Sequence, residues 1–335
     1  MNAARCRPDS PRGHARRRFA LALVGLLAHV SAARAEPAQR WLEDMYDATR
    51  HSNYEGVFVY QRGAQLDAMR LVHRYDGEVE QERLISLSGP AREVIRDGTL
   101  VTCLFADDQA AMVEKNAPRD LIGIGFSAPI DSLHDSYHFV LEGNDRVAGR
   151  HAAVVAIVPH REDRYGYRLW IDAESKLLLK SVILARGGRV LEQVQFTHIA
   201  QRDAIDPALL RPEIAGSGFT WRTDLQDPDD AASASGTVSW QVQWMPDGFE
   251  MRESDTQHMA TSHAPVDHLV YSDGLAMVSV FVERLMQGET PLQGYSARGA
   301  VNAFSRVEDE HQITVVGELP LPTVRQIATS VTRIE

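Results

Sequence analysis

Residues 91–108, AREVIRDGTLVTCLFADD, decide how the first half of this chain is read. Two runs rich in β-branched and apolar residues flank Arg96-Asp97-Gly98-Thr99. Asp-Gly between such runs signals a hairpin, because both residues tolerate the left-handed backbone of a tight turn. Upstream, NYEGVFVYQRG, LDAMRLVHRYDG and EVEQERLISLSG follow the same pattern, and Tyr75-Asp76-Gly77-Glu78 repeats the Asp-Gly turn. Downstream comes AAMVEK, then a less regular piece, APRDLIGIGFSAPIDSLHDSYH. Strand patterns resume with HAAVVAIVPH, DRYGYRLWID, KLLLKSVILAR and RVLEQVQFTHI. An antiparallel sheet of roughly ten strands has to curl. Before it, PAQRWLEDMYDATRHS places Trp41, Leu42, Met45, Tyr46 and Thr49 on one helical face. The expectation is an unclosed β-barrel with this helix against its inner face.

The N-terminal residues set the compartment. Arg16, Arg17 and Arg18 precede an apolar segment, and Ala33-Arg34-Ala35 follows it as a small-x-small cleavage site. That order predicts a signal peptide over residues 1–35, cleaved near Ala35, and an exported, periplasmic mature chain. The apolar segment falls short of the roughly 20 residues that span a bilayer, and no later segment is apolar for long enough. Removing the leader takes away seven arginines and one aspartate, leaving 28 basic against 45 acidic residues, a net charge of −17. Such a chain repels nucleic acid and anionic membrane. Cys6 leaves with the leader, so Cys103 has no internal disulfide partner and reads as a small buried hydrophobe.

The strand pattern stops near Arg211-Pro212. LQDPDDAASASG, residues 225–236, is acidic and then small and polar, as a linker would be. Beyond it TVSWQVQWMPDGFEMRES, YSDGLAMVSVFVE and GAVNAFSRVEDEHQITVVGELP read as strands, and LPTVRQIATSV as a closing helix with Pro322 near its first turn. The expected division is a half-barrel domain for lipid or peptide over 36–215, a flexible linker over 216–236, and a small C-terminal regulatory domain over 237–335. The fold class is α+β.

Chemical motifs are sparse. Ser272-Asp273-Gly274 has His268 nearby in sequence, but lacks the G-x-S-x-G elbow and any visible third member of a triad. The hairpin reading, with HLVYS and LAMVSVFVE as its arms, explains it better. His134 and His138 have the spacing of two ligands on one helical face. No third ligand is identifiable, however, and the segment after Tyr137 reads as a strand. His258 and His263 carry still less. Gly123, Gly125 and Ser127 are too sparse for a phosphate loop. No catalytic residue, metal ligand or cofactor site is therefore expected, and the chain reads as a non-enzyme. The remaining signal is the concave face of the half-barrel, with Phe58, Tyr60, Leu71, Leu104, Ile157, Leu169 and Trp170 as groove candidates for acyl chains or extended peptide. Each is equally of the type that packs a core.

NYEGVFVYQRG, RLISLSGPAREVIRDG, DRVAGR, YGYRLWID with KLLLKS, YSDGLAMVSVFVE and TVVGELP, in that order, resemble the periplasmic regulators of the RseB/MucB family. The resemblance implies an N-terminal unclosed barrel like that of the carriers LolA and LolB, a linker and a smaller C-terminal α/β domain. It also implies a negative regulator of the envelope-stress sigma factor. Such a protein binds the periplasmic part of a membrane-spanning anti-sigma factor and shields it from the site-1 protease. Lipopolysaccharide or another acyl lipid displaces it, while exposed outer-membrane protein C-termini activate the protease. The alternative on the same architecture is a carrier of lipid or lipoprotein, and a homo-oligomer is left open. The net charge is −7 over 36–215 and −10 over 216–335. An anionic lipid head group is therefore expected on the first domain, where Arg62, Arg70, Arg74, Arg83, Arg92 and Arg96 cluster in sequence. The family supplies no short ligand motif to carry over.

Overall fold

The computed structural model describes residues 37–115, 126, 128–214, 218–223, 238–257, 264–286 and 288–334. The expected leader, Gly123, Gly125, Ser127, the acidic linker with Asp227, Asp229 and Asp230, and His258 and His263 lie outside the described residues. Among the described residues no helix is long and apolar enough to cross a membrane.

Helix α1 spans 37–51. Six strands follow as a meander: β1 (Asn53–Arg62), β2 (Gln65–Tyr75), β3 (Glu80–Ser86), β4 (Arg92–Asp97), β5 (Leu100–Phe105) and β6 (Ala110–Lys115). After a 3-10 turn at Ile130–Asp135 come β7 (Tyr137–Val147), β8 (Arg150–Pro159), β9 (Gly166–Asp172), β10 (Leu178–Leu184) and β11 (Val190–Arg202). Strand β11 pairs antiparallel with β1 and so joins the two runs. The result is one twelve-stranded sheet in the order β12-β6-β5-β4-β3-β2-β1-β11-β10-β9-β8-β7, whose ends are not paired to each other. This is the unclosed barrel expected from the hairpin pattern.

Two details differ from the sequence reading. The turn at Asp97-Gly98 sits one residue later: Asp97 stays on the ladder opposite Leu100, the loop is Gly98-Thr99, and only Gly98 takes a positive φ. The twelfth strand, β12 (Thr220–Thr223), pairs in parallel with β6. It lies inside the stretch expected to be linker, so the sheet draws on chain beyond residue 215. Four residues between glycine-rich and acidic flanks are too few to show a strand period.

Inside the curl, Ala38, Leu42 and Met45 of α1 pack in one core with Tyr54, Phe58, Met69, Leu71 and Leu84. The opposite face of β2 and β3 is covered by chain around Pro207–Leu210, where Val72, Ile205 and Leu210 form a separate small core. Cys103 is half-buried rather than fully buried.

The second unit has its own core. Its strands are β13 (Trp240–Val242), β14 (Glu250–Gln257), β15 (Val266–Ser272), β16 (Met277–Arg284), β17 (Gly294–Arg298), β18 (Val301–Glu308) and β19 (His311–Gly317). Helix α2 (Leu321–Ser330) leads into β20 (Val331–Arg333), which pairs with β13. Six strands form an antiparallel sheet in the order β14-β15-β16-β19-β18-β17. The buried α2 residues Val324, Ile327 and Ala328 pack with Val280, Ile313 and Val315 of that sheet. This is the expected smaller α/β domain.

Candidate functional site

Where the two domains meet, the interface is built from polar groups that neither segment reveals alone. Asp273, at the β15–β16 turn, is buried. Its Oδ1 accepts from the backbone N–H groups of Leu275 and Ala276 at 3.0 and 2.8 Å, which shapes the loop. Its Oδ2 faces the other domain and accepts from Arg164 Nη1 at 2.6 Å and from the Tyr137 hydroxyl at 2.9 Å. The side chains of Arg164 and Asp273 are 2% and 0% exposed, so this ion pair is shielded from water.

Arg164 is a hub. Its Nε donates to Asp163 at 2.8 Å and its Nη2 to the Asp247 carbonyl at 2.7 Å, and the guanidinium lies over the rings of Phe249 and Tyr137. Burial alone would lower its pKa; the hydrogen bond to Asp163 and the charges of Asp273 and Asp163 outweigh that and raise it. Burial, and then the Asp273 charge, push the Tyr137 phenol well above its ordinary range. Further ties flank the hub. Asn302 donates to the Tyr165 hydroxyl at 2.9 Å, Thr323 to the Asp163 carbonyl at 2.9 Å, and the Ala300 N–H to buried Glu192 at 2.7 Å. Tyr60 donates to the other Glu192 oxygen.

A cleft of about 850 Å³ opens beside this hub. It is walled by the ends of β8 to β10, the 184–189 loop, Asn302 and the Pro320–Pro322 entry to α2.

The groove candidates do not come together as one lining. By register, Phe58, Tyr60, Leu71, Ile157 and Leu169 share the helix-facing side of the sheet. Leu104 lies on the other face, in the row with Glu93. Trp170 also points outward, donating to Asp145 at 2.8 Å with Lys180 over its ring. All but Tyr60 are buried, and Phe58, Leu71, Ile157 and Leu169 share one core with Ala38, Leu42 and Met45 of α1. Leu169 and Trp170 are consecutive, so strand alternation sends them to opposite faces, and Leu104 sits on a regular ladder whose facing was not fixed by its own segment.

The arginine cluster is likewise dispersed. Arg83 and Arg96 are buried and paired with Glu93 and Glu82, while Arg70 and Arg74 pair with Glu55 and Asp76. They do not form an open basic surface.

Ser272 donates to the Ala276 carbonyl and accepts from the Gly274 N–H, both at 3.0 Å, so its hydroxyl serves the turn. The His268 ring stacks on Phe281. His134 and His138 sit on different elements, the first bonded to Gln39 and the second stacked on His160.

Sequence reasoning missed Arg164, Tyr137 and Asn302. Their partners lie 109, 136 and 137 residues away, beyond any local pattern.

The family model for the MucB/RseB N-terminal domain matches residues 37–214, and that for the C-terminal domain matches 234–332. The chain belongs to the MucB/RseB family. It is 34% identical over 326 residues to the sigma factor AlgU regulatory protein MucB of Pseudomonas aeruginosa, covering 93% of this chain and 96% of that protein. It is 30% identical over 319 residues to the sigma-E factor regulatory protein RseB of Haemophilus influenzae, with the same coverage. Among solved structures, MucB in complex with MucA(peri) shares 30% identity at a TM-score of 0.70, covering 89% of this chain and 99% of that one. The Pseudomonas aeruginosa MucA/MucB complex gives 31% and 0.71. The structure called MucB alone gives 29% and 0.64.

Proposed function

We propose that this protein is a periplasmic, non-enzymatic regulator. It binds the periplasmic part of a membrane-spanning anti-sigma factor, shields it from site-1 proteolysis, and lets go when an acyl lipid such as lipopolysaccharide binds. The observation that carries this reading is the match of both domains, in order, to a MucB solved in complex with MucA(peri). A carrier of lipid or lipoprotein on the same half-barrel, with the second domain as a docking module, is the alternative, but a carrier need not have the second domain.

The physical logic is a linked equilibrium. A lipid can release the partner only to the extent that it prefers the partner-free conformation. The domain junction is the element able to exist in two arrangements. Its ties are polar and geometrically strict, and the cleft beside them gives a peptide a place to sense the domain angle. On the lipid side, α1 must yield its place on the inner face, because Leu42 and Met45 already occupy it.

The test is a pull-down of the mature protein with the periplasmic segment of the cognate anti-sigma factor, with and without lipopolysaccharide. Capture that falls when lipopolysaccharide is added supports the reading. Absence of capture in both conditions rejects it. Capture that lipopolysaccharide leaves unchanged keeps the partner and rejects the lipid signal.

A further inference from the structure

One polar row crosses the helix-facing side of the first sheet. Tyr54 on β1 pairs with His73 on β2, His73 with Glu82 on β3, and Glu82 with Arg96 on β4. Four neighbouring strands thus send a tyrosine, a histidine, a glutamate and an arginine to the same side, and all four are buried. Glu80, two residues before Glu82 and so on the same face, adds a second, partly exposed carboxylate. Charges and acceptors taken from water in this way are costly unless each is met by a partner of opposite character.

The geometry of the row is specific. His73 Nδ1 lies 2.7 Å from the Ser52 carbonyl. A carbonyl only accepts, so Nδ1 carries a proton and Nε2 faces the other way. There it lies 3.3 Å from Glu80 Oε1 and 4.0 Å from Glu82 Oε1. The three ligand atoms lie within 4.8 Å of one another. Nitrogen and oxygen ligands of a tetrahedral zinc, each about 2.0–2.2 Å from the metal, are about 3.3–3.6 Å apart; the Nε2–Glu80 separation falls in that range and the Nε2–Glu82 separation of 4.0 Å would have to shorten on binding. A backbone carbonyl holding the second ring nitrogen is also how metal-bound histidines are oriented. Arg96 Nε lies 3.4 Å from the other Glu82 oxygen as an ion pair, and Oε1 is the oxygen nearer His73. A further observation is independent of the carboxylates. The Tyr54 ring stacks on His73 at 4.7 Å, and its buried hydroxyl has no hydrogen-bond partner among the described residues.

We infer that His73 Nε2, Glu80 and Glu82 form a site for one divalent cation of the zinc class, flanked by the buried, unpartnered Tyr54 hydroxyl on the ring stacked against His73. A divalent cation between the ring nitrogen and the two carboxylate oxygens would draw the three ligand atoms together, and its binding is favoured by deprotonated ligands. The bound ion would fasten the β2–β3 loop to the chain at Ser52, where α1 passes into β1.

The test starts from the purified full chain, stripped with a chelator and titrated with cobalt(II) at neutral pH. One equivalent should give the visible absorption of tetrahedral cobalt, zinc should displace it, and zinc should raise the melting temperature. His73→Gln and Glu80→Gln should each abolish the cobalt band and weaken zinc at least about tenfold. Because Glu80 is partly exposed, Glu80→Gln should keep the parent's circular dichroism, so its loss of metal is not a loss of fold. The site is refuted if the stripped parent takes up no stoichiometric zinc, or if both variants bind zinc as the parent does.

Discussion

Two loops of this chain share the same dipeptide and the same local chemistry, and differ in what lies beyond them. In Asp76-Gly77 the aspartate Oδ1 accepts from the N–H groups two and three residues on, at 3.1 and 2.9 Å. Asp273-Gly274 repeats this at 3.0 and 2.8 Å. Both glycines carry a positive φ, 102° and 96°. The first loop points into solvent. In the second, the spare carboxylate oxygen reaches Arg164 and Tyr137 in the other domain. A sequence motif can therefore specify a loop while leaving unsaid that the loop is a clamp.

The largest contrast should come from deleting each aspartate. Asp273→Ala takes from the buried Arg164 guanidinium one of its two carboxylates, the one in the other domain, leaving Asp163; breaking a buried pair outright costs about 3–5 kcal/mol, so the loss should approach the lower end of that range. Urea unfolding should show this as a lowered midpoint, with the domains separating before the cores melt. Asp76→Ala should fall far short of it. Equal losses at the two sites would break the comparison.

Replacing the glycines separates backbone strain from packing. At Gly274 a Cβ would lie 2.6 Å from Ala128 Cβ and 3.0 Å from Leu133, as well as holding an unfavourable φ. Gly274→Ala should cost about 2–4 kcal/mol. At Gly77 a Cβ meets nothing within 4 Å. Gly77→Ala should thus show the strain alone, about 1 kcal/mol after the gain from a stiffer unfolded chain. Thermal melts of the two single variants measure the difference directly.

The same contrast explains what the sequence disclosed. Strand runs, Asp-Gly loops and the apolar face of α1 are local, so the unclosed sheet, the helix inside it and the smaller second domain could all be read ahead. Turn type was less legible. At Tyr271–Met277 the two-residue turn expected from Asp-Gly is a four-residue loop, 273–276, and only Gly274 takes a positive φ. The Asp273 side chain, by bonding two N–H groups, stabilises the longer form. The junction was illegible because Arg164 looks like one more surface arginine until the fold brings Asp273 to it. The groove candidates failed as a set for a related reason: Leu104 and Trp170 have the right chemistry on the wrong side of the sheet. His73, Glu80 and Glu82 did leave a trace, as polar residues at inward positions of otherwise regular strands.

The smallest expected effect tests whether the exposed loop depends on charge at all. Backbone hydrogen bonds from Val79 and then Glu78 hold the Asp76 carboxylate below its ordinary value of 3.8. A folded-state pKa below the unfolded one means that the ionised form is favoured by folding. That contribution is complete above the unfolded value and is lost as pH falls through the lowered one. Asp76→Asn keeps a neutral acceptor and removes the titration. The stability difference between parent and Asp76→Asn should therefore be constant from neutral pH down to about pH 5 and shrink below about pH 4. Urea midpoints of the two proteins across that range make the measurement. A difference that does not change with pH would mean that the loop is held by acceptor geometry, with charge contributing nothing, and the two Asp-Gly loops would then differ in electrostatics as well as in burial.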